Sequence, residues 1–151
     1  MNKMKILLVD DEERFLETTS KLLNKKGIDV VTANSGTKAL ELLIAKEIHV
    51  VILDVKMPGM DGIETLKQIK AKHPLIEVIM LTGHGTMDSA IEGLKSGACD
   101  YLIKPTDFQN LIQCLETAYQ RRQILDEKIR MAQKRSFMKS PREIIKNKPT
   151  I

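Results

Sequence analysis

The stretch His49–Gly62, HVVILDVKMPGMDG, decides how the chain folds. Val50, Val51, Ile52, Leu53 and Val55 enclose one carboxylate, Asp54. A strand solvated on one face alternates apolar and polar side chains. One that is apolar at successive positions is covered on both faces, as in a parallel sheet flanked by helices. An unpaired charge inside such a strand is costly. Asp54 therefore belongs at the strand's end, just before the Pro58-Gly59 turn, at a rim where other polar groups can gather.

Working outward, the run VVILD (50–54) is one of five, the others being KILLV (5–9), DVVTA (29–33), EVIML (77–81) and DYLIK (100–104). Between them apolar residues recur three and four apart. Phe15, Thr18, Thr19, Leu22 and Leu23 form the first such face, and Ala39, Leu40, Leu42 and Leu43 the second, after Ser35. Ile63, Leu66 and Ile69 form the third, and Met87, Ala90, Ile91 and Leu94 the fourth. Leu111, Ile112, Leu115 and Ala118 form the fifth, after Asp107 as N-cap. Gly27, Gly97 and the Lys72-His73-Pro74 break close the first, fourth and third helices. Strand and helix alternate five times, which predicts an α/β fold with a doubly wound parallel sheet and short connections.

The fifth pattern runs on. Leu111, Leu115, Ala118, Arg122, Leu125, Ile129 and Ala132 keep a 4-3 spacing through about three heptads. This predicts an extended helix, either a weak dimerising coil or a solvated extension, and fraying or disorder over the closing KSPREIIKNKPTI. The NKPTI ending reads as a natural terminus. Residues 1–120 are expected to form one domain and 121–151 a basic helical extension with a flexible tail. The net charge of +4 hides this division. From residue 120 onward ten Lys/Arg face three acids, leaving 14 and 17 for the first 119 residues. The tail could attract nucleic acid electrostatically, but it has no helix-turn-helix or aromatic platform, so sequence-specific DNA binding is not expected. No run is long enough to span a bilayer and no signal-peptide pattern is present. Cys99 and Cys114 have no metal spacing and are expected to be reduced and half-buried in a cytoplasmic protein.

In an open parallel sheet, chemistry gathers at the carboxyl ends of the strands. The sequence puts Asp10 and Asp11 after the first strand, Asp54 at the end of the third, Thr82 after the fourth and Lys104 after the fifth. Three carboxylates invite a hard dication such as Mg²⁺. A carboxylate can itself be a phosphoryl acceptor, and a lysine and a hydroxyl suit phosphoryl oxygens. Singly, each of these residues fits an acidic turn, a structural hydroxyl or a solvated lysine. Together, at one rim, they do not.

LLVDDEE, ILDVKMPGMDG, MLTGHG and YLIKP resemble, in order and spacing, the motifs of the receiver domain of bacterial two-component response regulators, over residues 4–120. The segment Met80–Pro105 most resembles receivers of enhancer-binding transcription activators. The resemblance implies a five-stranded flavodoxin-like (βα)5 sheet of strand order 2-1-3-4-5. It implies that Asp54 takes a phosphoryl group from a histidine kinase or phosphotransfer protein with Mg²⁺ bound. The ion would be held by Asp11, Asp54 and the main-chain carbonyl of Lys56, and by Asp10 through water. Thr82 would be the switch hydroxyl, Lys104 the phosphoryl-binding lysine, Tyr101 the switch aromatic, and Lys104-Pro105 a cis bond. No departure occurs at these positions. The expected output is a changed helix 4–strand 5–helix 5 face that controls a partner or dimerisation, in a signalling switch rather than an enzyme. Lys56 and His84, each two residues past a site residue, would tune dephosphorylation, with His84 not a base. His49 and His73 are expected to be structural or exposed, and Met57, Met60, Met80 and Met87 packing or loop residues.

Two rivals share parts of this chemistry. A phosphatase of the haloacid-dehalogenase type needs a second Asp two residues past its nucleophile, but Asp10 and Asp11 are adjacent and Lys56 follows Asp54. A flavin-binding flavodoxin needs a Ser/Thr/Gly-rich phosphate loop where this chain has DDEERF.

Overall fold

The computed structural model describes residues 3–56, 61–83 and 87–138. Its elements are β1 (Lys5–Val9), α1 (Glu13–Lys25), β2 (Asp29–Ala33), α2 (Gly36–Ala45), β3 (Val50–Leu53), α3 (Gly62–Lys72), β4 (Glu77–Thr82), α4 (Met87–Lys95), β5 (Asp100–Ile103) and α5 (Phe108–Met138). The five strands are parallel in the order β2-β1-β3-β4-β5. This is the doubly wound flavodoxin-like sheet that the sequence implies.

The unbroken apolar runs resolve into two faces. Leu7, Val9, Val51, Leu53, Val78 and Met80 pack on one side with Ala39 and Leu43 of α2 and Ile63, Leu66 and Ile69 of α3. Ile6, Leu8, Val50, Ile52, Ile79 and Leu81 pack on the other with Leu16 and Leu23 of α1 and Leu111, Leu115 and Ala118 of α5. Each such side chain contributes about 1.5–3 kcal/mol by leaving water, so three central strands apolar on both sides fix the layering. The edge strands β2 and β5 are only partly covered.

Local signals set most boundaries. Ser35 accepts a hydrogen bond from Lys38 N (3.2 Å) and Asp61 one from Glu64 N (2.8 Å), capping α2 and α3. Gly27 (φ +81°) and Gly97 (φ +111°) occupy the left-handed region just past α1 and α4. At the carboxyl rim the boundaries shift by one residue: β3 stops at Leu53 and β5 at Ile103, whereas Thr82 ends β4 from inside the strand.

Three helices depart from the sequence pattern. On α1 the buried residues are Leu16, Thr19 and Leu23, while Leu22 is 41% exposed and Thr18 is solvated. The spacing Leu16-Thr19-Leu23 is as helical as the expected one, and the sheet selects between them. On α4 only Gly93 is buried, and Met87, Ile91 and Leu94 face outward. Met80, by contrast, is fully buried. On α5 the helix continues to Met138, and Arg122, expected on the 4-3 stripe, is turned toward the domain's own body. Its Nη1 donates to the Leu75 carbonyl (3.2 Å) and its Nε to Asp126 (3.0 Å), so it closes the packed part of the helix against the body. Beyond it Leu125 and Ile129 are partly solvated. The closing tail lies outside the described residues.

Candidate functional site

The site begins where the backbone ladders run one residue past the strands. Asp10 N donates to Ala33 O (3.1 Å), Asp54 N to Val9 O (3.1 Å) and Lys104 N to Thr82 O (2.7 Å). These bonds hold Asp10, Asp54 and Lys104 in strand-like directions at one rim. The carboxylate oxygens of Asp10, Asp11 and Asp54 lie within 4.8 Å of one another, and this is the one such group of metal-binding side chains among the described residues. Asp10 and Asp54 are buried, and Asp11 is exposed. Helix α3 starts hard against the acceptor backbone. Gly62 N donates to Val55 O (2.7 Å), and a Cβ on Gly62 would stand 2.0 Å from the Asp54 carbonyl oxygen. A glycine there is a steric requirement of the approach, and it fixes the main chain that carries Asp54.

Lys104 reaches across this rim. Its Nζ donates to Asp10 Oδ2 (2.7 Å) and Glu12 Oε1 (3.3 Å) and lies 4.2 Å from the centroid of the Phe15 ring. Burial alone would favour a neutral lysine. The bond to Asp10 and the charges of Asp10, Asp54 and Glu12 outweigh it, and the ammonium is held protonated above its usual range. Asp10 is pushed up, chiefly by burial and further by Asp54, against the pull of Lys104 and the Glu12 N–H, which donates to Oδ1 (3.0 Å). The two shifts act in opposite senses on the pair. The 2.7 Å contact favours the ion pair, and the upward push on Asp10 expresses its burial first and the nearby Asp54 charge only second.

Thr82 is fully buried at the end of β4. Tyr101 is half-buried on β5, packed against the α2–α3 side of the core, with its Oη 3.3 Å from Ser89 Oγ of α4. The Lys104-Pro105 bond is cis. Lys56, two residues past Asp54, is exposed. His84, Met57, Pro58, Gly59 and Met60 lie outside the described residues.

The sequence gives Glu12 and Phe15 no site role, placing Phe15 only on the apolar face of the first helix. Glu12 belongs to a legible run of acids, DDEE, but nothing in the spacing places the Phe15 ring under Lys104. His49 is structural: Nδ1 accepts from Lys5 N (3.0 Å), Nε2 lies 3.3 Å from Glu47, and the ring tilts against Tyr119 at the opposite end of the sheet. His73 caps α3. Cys99 and Cys114 are free and half-buried, and burial pushes their thiols up to about 12 and about 11.

A doubly wound sheet carrying an acidic rim, a buried threonine and a lysine before a cis proline defines a class of signalling domain. Residues 6–116 match the response regulator receiver domain family, and the chain belongs to it: it is a receiver domain of the two-component response regulators. It is 47% identical over 113 residues to the transcriptional regulatory protein ZraR of Escherichia coli K12, covering 75% of this chain and 26% of that protein. It is 37% identical over 111 residues to the DNA-binding transcriptional regulator NtrC of Klebsiella pneumoniae, covering 74% and 24%. Among solved structures, a response regulator receiver domain protein from Clostridium thermocellum superposes with a TM-score of 0.77 at 41% identity, covering 81% of this chain and 98% of that one. NtrX from Brucella abortus superposes at 0.80 with 30% identity, covering 86% and 30%. The chain thus spans about a quarter of the length of the curated relatives it matches. Among the described residues no helix is long and apolar enough to cross a membrane.

Proposed function

We propose that this receiver is switched by phosphorylation of Asp54, with a histidine kinase or phosphotransfer protein as donor. The observation that carries the reading is the gathering of three carboxylates within 4.8 Å, with the Lys104 ammonium 2.7 Å from one of them, at the carboxyl edge of a parallel sheet. Crowded hard oxygen donors fit Mg²⁺. Asp11, Asp54 and the Lys56 carbonyl would hold it, with Asp10 acting through water. When bound, the ion supplies charge neutralisation between carboxylate and phosphoryl oxygens.

An Asp54 oxygen attacks the phosphorus of the donor phosphohistidine. The P–O bond forms, the P–N bond breaks, and the imidazole leaves. Lys104 and Thr82 then take the phosphoryl oxygens, and Tyr101 moves toward the space that Thr82 vacates. The phosphoryl group shifts the α4–β5–α5 face only to the extent that it binds two pre-existing arrangements unequally. Turnover is limited to the domain's own transfer and dephosphorylation, with access of water tuned by Lys56 and His84. We assign residues 1–120 to the receiver and 121–151 to a basic extension. The output is given to a partner protein or a second copy of the chain rather than to DNA contact by these residues.

Acetyl phosphate with and without Mg²⁺, followed by intact mass of wild type and Asp54→Asn, tests this. One Mg²⁺-dependent phosphoryl adduct, absent in Asp54→Asn, is expected. Well-folded wild type that takes up no phosphoryl group, or an adduct that persists in Asp54→Asn, would overturn it.

A further inference from the structure

Lys104 is held on more sides than ion pairing needs. Asp10 and Glu12 take two directions, at 2.7 and 3.3 Å, and the face of Phe15 takes a third, 4.2 Å from Nζ to the ring centroid. Phe15 sits on α1, whose buried register is Leu16, Thr19 and Leu23, so its ring is turned toward the rim and only partly buried. The ring stands at the wall of a cleft of about 450 Å³ lined also by Glu12, Leu22, Gly83, Pro105 and Phe108. The ring closes a side of the ammonium that neither carboxylate covers, beside a Glu12 partner that is itself 66% exposed. An aromatic face attracts a cation electrostatically, and more strongly where water is excluded. The Lys104 side chain is only 13% exposed.

We propose that Phe15 is a positioning residue for phosphoryl transfer: its ring confines the Lys104 ammonium to the carboxylate side of the rim, where the incoming phosphoryl oxygens arrive. The inference rests on the reading of Asp54 and Lys104 given above. A leucine at position 15 would fill much of the space but present no π face, and a tyrosine would keep the face. Phe15 therefore acts through Lys104 or, if it is a packing residue alone, through the fold.

The test follows phosphoryl uptake from acetyl phosphate with Mg²⁺ by intact mass, in wild type, Phe15→Leu, Phe15→Tyr, Lys104→Met and the Phe15→Leu/Lys104→Met double variant. Proton NMR on the same proteins reads the Lys104 ε-methylene shift. Phe15→Leu is expected to slow uptake about five-fold, as loss of a partly desolvated cation–π contact implies. Phe15→Tyr should recover most of that loss. Phe15→Leu should add nothing once Lys104 is Met. The ε-methylene protons should lie upfield in wild type and return to the ordinary position in Phe15→Leu. The positioning role is overturned if Phe15→Leu is equally damaging with and without the Lys104 ammonium, or if leucine and tyrosine behave alike. If wild type takes up no phosphoryl group, the assignment of Asp54 falls first and this role falls with it. Uptake by wild type with a null cycle removes Phe15 alone.

Discussion

Helices α3 and α4 look alike in sequence and meet different fates. Ile63, Leu66 and Ile69 recur three apart on α3 and are all buried. Met87, Ile91 and Leu94 recur three and four apart on α4, and they are 76%, 43% and 48% exposed. With Ile103 of β5, 53% exposed, they leave apolar surface on the face to which the output is assigned. Apolar spacing announces that a face wants cover. It does not say whether the domain's own sheet provides it.

Truncation should break the likeness most sharply. Leu66→Ala removes a side chain with no exposure and should cost about 3 kcal/mol in urea unfolding, whereas Ile91→Ala should stay below about 1 kcal/mol. Equal losses would mean that α4 is packed after all. The glycines of the two helices give a second, smaller contrast. Gly62→Ala drives a Cβ into backbone 2.0 Å away and should cost about 2 kcal/mol or more, with slowed phosphoryl uptake as Asp54 shifts. Gly93→Ala meets only ordinary contact, 3.5 Å from Met80 Cγ, and should stabilise by about 0.5 kcal/mol through helix propensity. Thermal melts of the two variants moving in the same direction would remove the distinction.

The smallest effect tests whether the covered region is insensitive to pH. Burial holds His49 below the ordinary 6.5, with Glu47 opposing. The unfolded chain therefore binds this proton more readily than the native one. The stability it contributes is complete above about pH 6.5 and is lost as pH falls through the folded-state value. His49→Gln should flatten the decline in melting temperature between pH 7.5 and 5.5, and an unchanged slope would show that His49 does not carry it.

The α3–α4 contrast also marks how far the sequence is legible. All five strands, the helix starts at Ser35 and Asp107, and the placement of Asp10, Asp11, Asp54, Thr82 and Lys104 on one rim follow from apolar runs, caps and the strand-end rule. These are local signals that the fold repeats five times. What escaped depends on contacts distant in sequence. Leu16 displaced Thr18 because the sheet chose the face of α1, and Arg122 turned toward the body to donate to the Leu75 carbonyl, 47 residues away. Phe15 gained its place under Lys104 across a gap nearly twice as long. No window of spacing contains both partners of such a pair.

The undivided α5 has a mechanical consequence. Its last buried residue is Ala118, and its axis runs on to Met138, about 30 Å further at 1.5 Å per residue. With Arg122 pinned to the Leu75 carbonyl near its root, this length acts as a pointer. A tilt on the order of 5° at the sheet, too slight to disturb the core, sweeps the far end through about 3 Å, the scale on which side chains engage or miss one another.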